Sequence, residues 1–134
     1  MTANRLVLAF CLLPFLTVAA LACVSDPMAQ RMTAETEGAP AVYAILDSPV
    51  ISQPTGLELI ICPWATGDVS NLAVDAWMPS HQHGMNYEPD IKAIGNGRYA
   101  VTNMVYHMPG LWQLTVAIQT GTAHATYVLD MPIR

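Results

Sequence analysis

Charge is scarce in this chain. Only 11% of its 134 residues are charged, and Lys92 is the sole lysine. Nucleic-acid binding needs clustered Lys/Arg to neutralise phosphates, and five basic residues scattered against ten acidic ones supply no such cluster. Cysteine is nearly absent as well, with three in all, so no disulfide framework is implied. Glycine-rich phosphate loops and dinucleotide fingerprints are missing. So are a Ser-His-Asp order with supporting context, a motif of paired catalytic carboxylates and a nucleophilic Cys beside a His. The expectation is a non-enzyme. An oxidative copper enzyme is the one catalytic alternative. Beyond the N-terminus, no apolar run is long enough to span a bilayer.

That N-terminus reads as an export signal over residues 1–22. Arg5 gives the positive start, Leu6 to Leu21 is nearly unbroken apolar chain, and Ala20-Leu21-Ala22 is a small-x-small cleavage site. Cys23 follows. Ala19-Ala20-Leu21-Ala22-Cys23 resembles a relaxed bacterial lipobox, in which Cys23 becomes the lipidated first residue, although Ala20 stands where Leu is usual. The expectation is a lipid-anchored protein facing the periplasm. Simple secretion and an uncleaved anchor are the alternatives. Loss of Arg5 leaves four basic against ten acidic residues, a formal charge of −6. Cys62 lies in the apolar run Leu57-Glu58-Leu59-Ile60-Ile61-Cys62 and reads as a buried small hydrophobe. A thiolate joining a metal site, or a disulfide to an unlipidated Cys23, are its alternatives.

Residues 23–40 have no stable period and read as the lipidated Cys and a flexible tether. Residues 41–134 read as one domain. Within it, apolar runs at 41–46, 57–62, 70–77, 88–94, 98–105, 112–119 and 124–131 alternate with turn residues such as Gln53-Pro54-Thr55-Gly56, Gly95-Asn96-Gly97 and Pro109-Gly110. Leu72, Val74 and Ala76 share one face, and Trp112, Leu114, Val116 and Ile118 share another, at the two-residue period of strands. No helical period competes. The pattern implies an all-β fold, a single immunoglobulin-like antiparallel β-sandwich of about seven strands.

Against this plain background stands Met78-Pro79-Ser80-His81-Gln82-His83-Gly84-Met85, answered by His107-Met108-Pro109-Gly110. Three of the four histidines and three of the eight methionines fall in these two segments. Imidazole suits copper, zinc, iron and nickel, whereas thioether selects Cu(I), so a His/Met cluster without acidic ligands points to copper. Cu(I) is favoured and Cu(II) is the alternative oxidation state. If residues 81–85 are extended, His81, His83 and Met85 lie on one face, and His107 or Met108 would close the site from a loop at the same end of the fold. Singly, each has a plainer role: a surface histidine, or a methionine filling the core. Met78 and Met104 read as core, and His124 as exposed. Trp112 reads as a core anchor whose ring face could also shield a soft cation.

Asp75-Ala76-Trp77-Met78-Pro79-Ser80-His81-Gln82-His83-Gly84-Met85, then Gly97-Arg98-Tyr99, then Tyr106-His107-Met108-Pro109-Gly110-Leu111-Trp112, resembles the YtkA-like / FixH-like group of small exported β-sandwich proteins. The resemblance runs over about residues 41–131. It implies the sandwich fold and a link to copper handling or oxidase assembly. Two functional expectations follow. One is an envelope copper-binding lipoprotein that delivers or sequesters the metal, with a cuproprotein or oxidase-assembly partner. The other is a non-metal interaction module that helps assemble an envelope complex, with Pro79, Gly84, Pro109 and Gly110 merely setting turn geometry.

Overall fold

The computed structural model describes residues 23–134, so the signal segment expected at 1–22, with Cys11, lies outside the described residues. The described chain is all β. Its strands are β1 (Gln30–Arg31), β2 (Thr33–Ala34), β3 (Val42–Leu46), β4 (Pro54–Ile61), β5 (Asn71–Met78), β6 (His83–Gly84), β7 (Asp90–Gly95), β8 (Arg98–Val105), β9 (Gly110–Gln119) and β10 (His124–Ile133). They form two antiparallel five-stranded sheets, ordered β1-β3-β4-β8-β7 and β2-β10-β9-β5-β6. All seven expected strands are present.

Alternation explains how the sheets stack. On β9, Trp112, Leu114, Val116 and Ile118 are buried. On β5, Val74, Ala76 and Met78 are buried while Asp75 and Trp77 face out. The facing sheet contributes Val42, Ala44, Leu57, Leu59, Val101 and Met104. Along β5 and β9 one face is buried and the other is wetter, which fixes their register, because a one-residue slip would exchange the two sets.

The β7–β8 hairpin turns on Gly95, Asn96 and Gly97, all at positive φ, the geometry that matches strand twist in a tight hairpin. Gly97 is also where backbones meet. Its carbonyl accepts the Ile61 amide at 2.8 Å, and a Cβ there would lie 2.5 Å from the Ile61 carbonyl oxygen.

Two expectations are corrected here. Residues 23–40 are not a free tether. β1 pairs with β3 in one sheet and β2 with β10 in the other. Between them Met32 crosses from sheet to sheet and is buried in the core, its amide donating to Val42 at 2.9 Å. Burial of one thioether side chain at the crossing holds the segment down. The Tyr127 hydroxyl donates to the Pro40 carbonyl at 2.9 Å and pins its far end. Likewise, Cys62 is neither a free buried thiol nor a metal thiolate, and Cys23 carries no free sulfur for a lipid thioether. The two form a disulfide across 39 residues of sequence. One sulfur cannot hold both bonds.

Candidate metal centre

The site is built at the end of the sandwich where β5 stops and β9 begins. After Met78 the chain turns tightly: the amides of His81 and Gln82 both donate to the Met78 carbonyl, at 3.2 and 3.0 Å. Gln82 takes a left-handed φ of 55° and returns the chain as the short edge strand β6. There His83 pairs with Met78. Cross-strand partners share a face, and Met78 is fully buried, so the His83 ring is aimed into the sandwich. Pro79 cannot extend the ladder of β5, which is why the chain leaves the sheet at this point.

From the other side comes the segment between β8 and β9. Tyr106 is buried, and His107 and Met108 are half-buried. The Trp112 Nε1 donates to the Met108 carbonyl at 3.1 Å and ties this segment to the inner face of β9. Gly110, at φ 139°, lets the chain pass over Met78, whose Cε would sit 2.9 Å from an added Cβ.

The three imidazoles meet. The His81 and His83 centroids are 5.9 Å apart, and those of His83 and His107 are 4.8 Å apart. They form a row leading inward, with exposed His81 outermost and the fully buried Trp112 behind His83 and His107. Trp112 stands edge-on to both of these imidazoles, at 5.7 and 5.4 Å. Both ring nitrogens of His83 are buried without a hydrogen-bond partner. A buried polar atom without a partner costs about 1–3 kcal/mol, so an orphaned imidazole calls for a partner. Met85 continues from β6, its amide donating to the Ala76 carbonyl at 3.2 Å, and lines a depression with Asp75, Tyr87 and Glu88. Met85 and Met108 both pack on the edge of the core. Met78 and Met104 are core residues, and His124 is exposed, as expected.

Among the described residues, no group of three or more His, Cys, Asp or Glu side chains stands ready to hold a metal ion. The imidazole rings adjoin without forming a finished cage. Of the expected donors His81, His83, Met85, His107 and Met108, the structure brings the three imidazoles side by side, while Met85 and Met108 pack against the core. Behind the site the Tyr106 phenol donates to the Met131 sulfur at 3.8 Å and packs edge-on to Trp112 at 5.3 Å. Its pKa is pushed up to about 12 by burial. Sequence reasoning did not foresee this Tyr106–Trp112 support. The only signal for it was the alternation that placed Trp112 inward.

An all-β sandwich with an imidazole cluster at one end of its interior is the class this arrangement defines. Residues 68–117 match the family model described as YtkA-like. The matched stretch spans β5 through most of β9 and holds His81, His83, Met85, His107, Met108 and Trp112. No curated protein and no solved structure gives a significant match.

Proposed function

We propose that this chain is a copper-binding domain of the bacterial envelope. It holds one ion at the end of the sandwich and gives it to, or keeps it from, another protein. The observation that carries the reading is His83, whose buried and unpartnered ring nitrogens lie beside His107 at a centroid distance of 4.8 Å. A metal ion would satisfy one of these nitrogens, and thioether nearby favours Cu(I). His83 and His107 are assigned the inner ligands. His81, on the outside, is assigned the entry position, with Met85 and Met108 as the thioether candidates on either flank. Exposure of His81 supports exchange with a partner, because a ligand that reaches solvent can be replaced one bond at a time.

Anaerobic titration of the whole chain, purified as the cell processes it, with Cu(I) against competing chelators tests this. One-to-one binding is expected, lost in His83→Ala and His107→Ala. Binding weaker than about 10 µM would sink the reading.

The second reading, an interaction module, is favoured by a different observation. Trp77 and Leu111 are 40% and 50% exposed on the outer face of the same sheet, close to the turns that Gln82 and Gly110 build. If copper does not bind, that face is where a protein partner should be sought.

A further inference from the structure

We infer that Trp112 is the inner wall of the imidazole site and makes it selective for a soft, low-coordinate monovalent cation, Cu(I), over a four-coordinate dication such as Zn2+. This rests on the copper reading above and deepens it.

The inner side of His83 and His107 is closed. Trp112 is fully buried and stands edge-on to both rings, at 5.7 and 5.4 Å. Its one polar atom is already committed, since Nε1 donates to the Met108 carbonyl. Behind it, Tyr106 has its hydroxyl committed to the Met131 sulfur. Beside it, on the neighbouring strand, lies the buried thioether of Met78. An ion held by the two imidazoles therefore meets indole, hydrocarbon and thioether on its inner side. Zn2+ normally takes four nitrogen, sulfur or oxygen ligands, and a wall of indole withholds one of those places. Cu(I) accepts soft, sparse donors and low coordination, so a site closed on its inner side by indole still suits it. The same hydrogen bond to Met108 holds His107 in its place, so Trp112 positions a ligand as well as shaping the space beside it.

The test compares Cu(I) and Zn2+ affinities, by anaerobic competition titration, for the whole chain and for Trp112→Phe. The substitution removes the indole edge and the Nε1 donor. Expected is Zn2+ binding about tenfold tighter, because the smaller ring opens a place for a further ligand, with Cu(I) binding unchanged or weaker, so that the ratio of the two falls. Equal weakening of both metals would mark Trp112 as a purely structural residue and overturn the inference. A second variant leaves Trp112 intact and guards against a folding failure. In Trp64→Phe/Trp77→Phe, Trp112 is the only indole, and its emission should change with Cu(I) and saturate at one equivalent. Bound Cu(I) with unaltered emission overturns the role of Trp112 while leaving the copper reading standing. Absence of Cu(I) binding by the unaltered chain overturns the copper reading, and the inference falls with it.

Discussion

Burial sets the Tyr106 phenol against its own ionisation. Its pKa is raised from 10.0 to about 12 by desolvation, so the folded state holds the proton more tightly than the unfolded chain does. The stabilisation is fully present below pH 10. It is lost as pH climbs from about 10 to 12, where the unfolded state releases a proton that the folded state keeps. Two units correspond to about 3 kcal/mol at most. Denaturant unfolding followed from pH 9 to 12 should show that decline, and Tyr106→Phe should flatten most of it. Some slope should persist from Tyr127, whose pKa burial also raises. At pH 8 the same substitution removes only a weak hydroxyl–thioether hydrogen bond and should cost under about 1 kcal/mol. A variant as steep as the unaltered protein above pH 10 would show that Tyr106 ionises freely. Histidine placement was legible at this scale too. The two-residue spacing of His81 and His83 and the recurrence at His107 marked the cluster, but only the register of β6 on β5 shows that His83 turns inward.

At the scale of elements, the long strands were legible because each combines a period of two with a turn signal at both ends. The expected strand at 98–105 coincides with β8, and the runs at 70–77 and 112–119 shift by no more than two residues. β1, β2 and β6 were not legible, because two residues cannot display a period and their pairing is decided by the tertiary neighbours β3, β10 and β5. The turn between β7 and β8 yields a sharp test. Gly97 has both a positive φ of 71° and no room for a Cβ against the Ile61 carbonyl, whereas Gly95 has a positive φ with open space around it. Gly97→Ala should therefore destabilise by about 2–4 kcal/mol, from backbone strain plus a displaced β4. Gly95→Ala should cost only about 1 kcal/mol, the conformational part alone. Equal losses in the two variants, read as shifts in the denaturant midpoint at constant slope, would contradict the close approach of β8 to Ile61.

For the whole molecule, the disulfide and the imidazoles occupy opposite ends. Cys62 follows β4 where it meets the β7–β8 turn, and the site lies where β8 has finished, roughly 25 Å away along an eight-residue strand. The pairing of Cys23 was not legible because a lipobox offered the same sulfur another fate, and sequence spacing alone cannot bring residues 39 apart together. Closing a loop of that length restricts the unfolded chain by about 4 kcal/mol in the chain-entropy account. Reduction, or the double change Cys23→Ser/Cys62→Ser, should lower stability by up to that amount. Met32 and the pairing of β1 and β2 should still hold the N-terminal segment on the sandwich. Because the bond lies at the far end, the same variant should bind Cu(I) as tightly as the unaltered chain. Intact mass and thiol counting on the processed protein should show a closed disulfide and no lipid thioether at Cys23. A lipidated Cys23 with a free Cys62 would show that the sulfur takes the other fate in the cell. The docked segment of residues 30–34 would then join the anchor to the sandwich, with the imidazole row at the end farthest from it.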